Sequence, residues 1–342
     1  MGHSFRGLPA MHTTARRLLT LCHAPVAFGT LMLSVGNACA QAAAPHPSLP
    51  PACDRACLEK TVDEYLAALA AHDPGSLKWA ADARFSENNV MLRIGDGLWQ
   101  TMSGPAKGVL KFSDPQSSQA GAFALVQQHG QPAFFALRLK VRAGEISEAE
   151  VEINQPAPQA HPSPAAGDPD RYFHYPEMTR DLPETQRTAR LRMIDLANGY
   201  FSTLQLNDGT LLTAFSPTCR RQENGFESTA NPQFDRPEGR LHCAEQFKTG
   251  TFRFDSAVRD RSYMVIDELR GLVLARAFID HDAAFSEYTL ADGKRVPSPI
   301  TKPESLSLLE LFHITAGQID RIEVVHITVP YAMPSVWRTC AP

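Results

Sequence analysis

The sequence lacks the signatures of the best-marked enzyme classes. It has no G-x-S-x-G elbow, no H-E-x-x-H, no dinucleotide fingerprint and no Walker loop. Those absences argue against serine hydrolases, zinc proteases and nucleotide-dependent enzymes. A basic excess is also missing. Lys and Arg number 33 against 37 Asp and Glu, a formal charge of −4, so nothing supplies the positive field of a nucleic-acid surface. Beyond residue 35 no apolar window is long enough to span a bilayer. Cysteine is sparse, 7 in 342 residues, and no second close Cys/His pair accompanies Cys53 and Cys57. No metal and no cofactor is therefore expected. What remains is an ordinary globular composition, 43% hydrophobic and 20% charged, in a chain long enough for about two domains.

The N-terminus reads as a targeting segment. Arg16 and Arg17 precede an apolar run over residues 18–35, and Ala38-Cys39-Ala40 makes an A-x-A cleavage site before Gln41. His23, Pro25 and Gly29 interrupt the run, which makes it a poor membrane span. The expectation is a signal peptide over 1–40, from Met1 or from Met11, a disordered leader over 41–52, and a periplasmic or secreted protein with no membrane span after cleavage. Cys53, Cys57, Cys219, Cys243 and Cys340 would survive, and export makes disulfides the default for them. Cys219 and Cys243 bracket a loop with little apolar material, so they are expected to pair. Cys53 and Cys57 either close a small ring or give one partner to Cys340.

Residues 306–331, LSLLELFHITAGQIDRIEVVHITVPY, form two β-branched runs around Ala316-Gly317-Gln318, the pattern of a strand hairpin. The phrase has an earlier copy. LRLKVRAGEISEAEVEI, residues 137–153, lays onto ELFHITAGQIDRIEVVH, residues 310–326, without a gap. A repeat of that quality points to a duplicated domain. Each copy opens with an amphipathic helix. The first carries Leu58, Val62, Tyr65, Leu66 and Leu69; the second spans 189–206. A second short helix is expected at 76–80 and at 211–216, followed by a strand ending in Glu87-Asn88 or Glu223-Asn224. The organisation that follows is a first domain over 53–154, a Pro-rich linker over 155–188, and a second domain over 189–338 with an insertion at 226–255 that has no counterpart in the first.

Helix, short helix, an E-N strand and antiparallel strands ending in G-x-I-x-x-h-E resemble the nuclear transport factor 2-like, or SnoaL-like, superfamily. More narrowly, Glu310-Leu311-Phe312, Gly317-Gln318-Ile319, Ile322-Glu323 and Pro330-Tyr331 to Trp337 resemble an exported fungal and bacterial family of uncharacterised tandem SnoaL-like proteins. The resemblance implies an α+β protein of two cone-shaped domains. In each, N-terminal helices would sit on a strongly bent, mostly antiparallel sheet around an apolar pocket. That superfamily hosts isomerases, dehydratases, lyases, cyclases and binding domains, so fold alone does not choose the chemistry.

Glu310 is the leading catalytic candidate. Period-two alternation puts it on one face with Leu306, Leu308, Phe312 and Ile314, and a carboxylate among apolar neighbours suits proton transfer. The first copy has Leu137 there, so the fold does not need the charge. An ion pair with Arg259, Arg261 or Arg276 is the structural alternative. Asp267 and His281 stand at strand ends as further acid–base candidates, the latter flanked by Asp280 and Asp282. Phe312, Glu223, Asn224, Tyr331 and Trp337 are candidates for substrate contact, although Asn224 also suits a turn and the two aromatic residues suit plain packing. Glu150 and Glu323 match between copies and are expected to be structural. His313 falls on the face opposite Glu310. The reading is a cofactor-independent lyase, isomerase or hydratase acting on a small apolar or aromatic metabolite, with an exported small-molecule-binding protein as the rival; a homodimer is left open.

Overall fold

The computed structural model describes residues 53–157 and 161–338. The expected signal peptide, the leader and Cys340 lie outside the described residues. Asp54 caps α1 (Arg55–Ala70), its carboxylate accepting from the Cys57 N–H at 2.9 Å. The buried face of α1 is Leu58, Val62, Tyr65, Leu66, Ala68 and Leu69, the three- and four-residue spacing visible in the sequence. Then come β1 (Trp79–Glu87), β2 (Val90–Leu92), α2 (Leu98–Thr101), β3 (Lys107–Asp114), β4 (Gln119–Gln128), β5 (Gln131–Arg142) and β6 (Glu145–Asn154). The second half repeats the plan with α3 (Arg190–Leu206), β7 (Phe215–Glu223), β8 (Phe226–Glu227), α4 (Cys243–Lys248), β9 (Ala257–Asp267), β10 (Leu272–His281), β11 (Glu287–Thr289), β12 (Arg295–Pro297), β13 (Glu304–Thr315) and β14 (Gln318–Val329).

The protein is α+β, with two six-stranded curved sheets of the same strand order, β2-β1-β6-β5-β4-β3 and β8-β7-β14-β13-β10-β9. Only β1/β6 and β7/β14 run parallel; every other pair is antiparallel. Both hairpins turn on an Ala-Gly pair with both residues at positive φ, Ala143 (52°) with Gly144 (80°) and Ala316 (48°) with Gly317 (76°). That is the twist-matched geometry a two-residue hairpin prefers.

Three sequence expectations need correction. The helix over 76–80 is a single 3-10 turn at Pro74–Ser76, after which β1 begins at Trp79. The helix over 211–216 is absent. Its backbone is tied to α3 instead: the Thr203 hydroxyl accepts from the Leu212 N–H at 2.8 Å, and the Thr213 hydroxyl donates to the Leu196 carbonyl at 2.8 Å. The segment over 226–255 is not wholly an insertion, because β8 and α4 hold the places of β2 and α2. The added material is the loop between β8 and α4, and separately the small β11–β12 ribbon.

The convex faces of the two sheets meet. Phe112, Phe123, Phe134, Leu274, Leu309 and Leu311 make an apolar layer between them. Tyr175 and Met178 from the stretch after the Pro-rich segment are buried in that layer, deeper than a linker lying on the surface. At its margin Arg138 and Arg276 converge on Glu150, with Nε and Nη1 contacts of 2.7 and 2.8 Å. The matched Glu323 accepts from the Tyr175 N–H at 3.2 Å and pairs with His174 at 2.7 Å. Both conserve structure at the joint, as expected from their presence in both copies. Among the described residues no helix is long and apolar enough to cross a membrane; β-barrel spans are a separate matter.

Candidate functional site

A cavity of about 270 Å³ opens between the concave face of the second sheet, α3, and the loop between β8 and α4. It is built by strand alternation. On β13, Leu308, Glu310, Phe312 and Ile314 point toward α3, while Leu309 and Leu311 point into the layer between the sheets. On β7 the same alternation brings Arg221 and Glu223 to the concave side, and on β14 it brings Val324 and His326. Leu204, Phe252, Phe254, Ile279, Leu306 and Leu308 supply the apolar part of the wall, and Ser163, Thr251, Glu304 and Thr328 are among its further polar residues.

At the floor lies Arg221, 4% exposed. Its Nη1 donates to the Tyr200 hydroxyl at 3.1 Å and its Nη2 to Gln246 Oε1 at 2.9 Å. Its Nε faces Ser228 Oγ at 3.1 Å and Glu223 Oε1 at 3.1 Å. The Phe252 ring lies 4.8 Å from the guanidinium carbon. Burial alone would lower this guanidinium's pKa, but Tyr200 and Glu223 outweigh it and raise it. Burial would likewise raise Glu223, yet Arg221 holds that carboxyl below its usual range. The two form a buried ion pair, the condition under which a buried charge is tolerated.

Glu310 is different. It is 2% exposed, and desolvation pushes its pKa up to about 8, against the opposing pull of Arg221 and the nearby Tyr200 hydroxyl. Arg221 spends its charge on Glu223, so Glu310 is a neutral carboxylic acid near pH 7. The structural alternative, a pair with Arg259, Arg261 or Arg276, is not formed. Arg259 pairs with Asp280 at 2.7 Å, Arg261 reaches Gln205 at 2.8 Å, and Arg276 pairs with Glu150.

Two imidazoles also line the cavity. His281 Nε2 faces Asp255 Oδ1 at 2.9 Å, and both residues are buried. A carboxylate at Nε2 fixes a proton on that nitrogen, so the lone pair of the uncharged ring is on Nδ1. His326 Nε2 lies 3.1 Å from the Pro164 carbonyl oxygen, which can only accept, so Nε2 carries the proton here too. Burial lowers the His326 pKa despite Glu223 and the Pro164 carbonyl, which keeps the ring neutral. Among the described residues, neither His281 Nδ1 nor His326 Nδ1 has a hydrogen-bond partner.

The sequence candidates thus divide. Glu310, His281 and Glu223 all line the cavity, with His281 opposite Glu304, six residues along β13 from Glu310. Asp267 does not: Arg55 Nη1 holds it at 2.9 Å and the Ser113 N–H donates to it at 3.2 Å, so it ties the two halves together. Phe312 is packed behind Tyr200, ring centroids 4.9 Å apart, and forms core instead of cavity wall. Asn224, at φ 47°, clamps the sheet edge by accepting from the His326 N–H at 3.1 Å and donating to the His326 carbonyl at 3.2 Å. Tyr331 is 45% exposed and outside the cavity lining. Trp337 crosses to the first half, where its Nε1 donates to Ser86 Oγ at 2.8 Å and Arg84 and Arg138 lie over its ring. His313 is buried away from the cavity, 3.5 Å from Asp320.

Sequence reasoning missed Tyr200, Arg221, Gln246 and Asp255 as site residues. It also missed Ser163, Pro164 and Ala165 of the Pro-rich segment, which rim the cavity. One signal was available for Arg221: its counterpart in the first half is Phe85, by the register Phe85–Ala149 against Arg221–Ile322. The expected Cys219–Cys243 bond is present, with a second between Cys53 and Cys57. The first joins β7, two residues before Arg221, to the start of α4, which carries Gln246.

Residues 186–326 match a family model described as a domain of unknown function, DUF8021. No curated protein matches. Among solved structures, a de novo designed protein with a curved β-sheet shares 17% identity over 29% of this chain and 87% of its own, with a TM-score of 0.25. A Bacillus subtilis protein described provisionally as an isomerase shares 13% over 28% of this chain and 86% of its own, TM-score 0.25. An NTF-2 like protein of unknown function from Burkholderia xenovorans LB400 shares 14% over 31% of this chain and 91% of its own, TM-score 0.23. At these scores the likenesses carry no argument, and the topology rests on strand order and register.

Proposed function

We propose that the chain is an exported, cofactor-independent enzyme of the lyase, isomerase or hydratase type, acting on a small apolar or aromatic molecule in the cavity of its second half. The observation that carries this is one cavity lined by both an uncharged Glu310 acid and, farther along β13 opposite Glu304, an Asp255-backed His281 whose Nδ1 has no partner among the described residues. Titratable groups whose surroundings hold one as acid and another as base are the arrangement acid–base catalysis needs. In this reading Glu310 delivers its proton to a substrate oxygen while His281 removes one from carbon; the return of both protons at new positions resets the pair. Asp255 is a positioning residue, fixing the His281 tautomer. Arg221, Glu223 and Tyr200 hold the floor rigid. The first half serves as scaffold. Two disulfides support export.

The test begins with the molecule that co-purifies with the native protein, identified by mass. In deuterated water the wild type should exchange carbon-bound hydrogen of that molecule, detected by NMR. Glu310→Gln should lose exchange by at least a hundredfold, the scale of a general acid, with its melting temperature nearly unchanged. A molecule recovered undeuterated from the wild type would replace this reading with a binding protein.

A further inference from the structure

We propose that the cavity takes an uncharged hydroxycarbonyl compound, presenting one carbonyl oxygen and one hydroxyl, and rejects carboxylates and phosphates. The inference rests on the reading of this cavity as the ligand site and specifies what it accepts. The first argument is charge. Arg221 is the one guanidinium at the floor, and its Nε, Nη1 and Nη2 are engaged by Ser228, Glu223, Tyr200 and Gln246. Glu223, 3.1 Å from its Nε, neutralises that cation. The other lining cation, Arg236, is exposed at the rim, where it shares the lining with Glu238 and Glu304. An anionic ligand at the floor would be desolvated beside Glu223, which already pairs with Arg221, and that costs several kcal/mol in comparable settings (roughly, per unpaired ion).

The second argument is the complement of donors and acceptors. Glu310, as an acid, offers one O–H. His281 Nδ1 and His326 Nδ1 offer two lone pairs, both unpartnered among the described residues, on rings that are 4% and 5% exposed. A ligand that meets Glu310 and one of the two imidazoles must accept at one point and donate at another. A carbonyl oxygen does the first and a hydroxyl the second. A plain hydrocarbon would leave all three groups unsatisfied, and a simple ketone would leave both imidazoles so, at the usual cost of a buried orphan. The apolar walls, Leu204, Phe252, Phe254, Ile279, Leu306 and Leu308, specify a largely hydrocarbon skeleton between the two polar points. A volume of about 270 Å³ suits a compact molecule.

Four probes of similar size separate the possibilities: para-hydroxyacetophenone, acetophenone, para-hydroxybenzoate and tyramine. Each is titrated into the full-length mature protein by calorimetry at mildly acidic pH, where the phenols are neutral, the benzoate is an anion and tyramine is a cation. The expected result is saturable binding of para-hydroxyacetophenone, about tenfold tighter than acetophenone, with little binding of the benzoate or tyramine. Glu310→Leu and His326→Leu should each weaken the hydroxyketone about tenfold, roughly one lost hydrogen bond. Equal or tighter binding of the benzoate or of tyramine overturns the inference, as does failure of all four to bind at millimolar concentration or an unchanged affinity in both variants. The readout is binding alone. A hydroxyketone that binds but shows no exchange of hydrogen leaves this inference standing and removes the catalytic reading. An anion preference removes this inference and leaves acid–base chemistry open.

Discussion

The two halves share a strand order and a register, yet their concave faces are chemically opposite. In the first, Phe85, Leu137 and Ile153 face α1, where Tyr65, Trp79 and Trp99 meet edge-on with centroids 5.2 to 6.4 Å apart and fill the space. In the second, the register puts Arg221, Glu310 and His326 at the same three positions. Leu137 pairs with Val151 as Glu310 pairs with Val324, and Asn88 brackets Ile153 as Asn224 brackets His326. At these three matched positions one half is apolar and the other polar. The lesson is that the same strand positions accept an apolar set, so the fold does not require the polar one.

The widest break in this comparison is an exchange at one position. Leu137→Glu should destabilise the protein by more than about 4 kcal/mol, because Leu137 is fully buried in the apolar cluster of the first half. Glu310→Leu should leave stability equal or higher while ending activity. Urea unfolding of both variants checks the pair, and similar losses in each would dissolve the contrast.

Next in size is Arg221→Phe, which copies the first half's Phe85. It strands Glu223 in the cavity floor, and roughly 3–5 kcal/mol should be lost. Adding Glu223→Gln should recover much of it, since the stranded charge is then gone. A double variant no more stable than the single one would show that the ion pair is not what Arg221 supplies.

The disulfides differ in reach. Cys219–Cys243 closes a separation of 24 residues and Cys53–Cys57 one of 4. In the chain-entropy model the first is worth about 3 kcal/mol and the second about 2 kcal/mol. Paired serine substitutions should reproduce that order, and only the first should weaken ligand binding, because it anchors the strand and helix that carry Arg221 and Gln246.

The smallest effect is at the turns. Ala143 sits at φ 52°, a region where a β-carbon is disfavoured. Ala143→Asn should stabilise by up to about 1 kcal/mol, and Ala316→Asn by a similar amount. Melting curves of the two would show whether the halves share this strain.

Much of the scaffold was legible in the chain. The hairpin repeat, the helix faces and the matched Glu-Asn strand ends all follow from local periodicity, and the structure has them in the same register. Glu310 stood out because an ungapped repeat set it against Leu137. Arg221 stayed hidden because Cys219-Arg220-Arg221-Gln222-Glu223 has the composition of a solvated strand; its burial depends on Tyr200 and Gln246, 21 and 25 residues away in sequence. Asp255 was invisible for a similar reason, since its partner His281 is 26 residues distant and no local pattern joins them. Asp267 and Trp337 were read as site residues because strand ends and terminal aromatics are common pocket features. Here both are used to hold one half to the other.

The central claim is that the second half keeps a neutral carboxylic acid at the place where the first keeps a leucine. Carbon-13 NMR of protein labelled at the glutamate carboxyl, with Glu310→Gln supplying the assignment, measures it directly. Glu310 should titrate with a midpoint near about 8, well above its usual 4.5. Below that midpoint the acid form is present in the fold, so activity should be retained there and fall as pH rises through it. The same sign applies to stability: the group's contribution is full below 4.5 and declines between 4.5 and about 8, because only the folded state binds its proton across that interval. A midpoint near 4.5 would contradict the account, for Glu310 would then be an ordinary carboxylate and the two halves would differ only in packing.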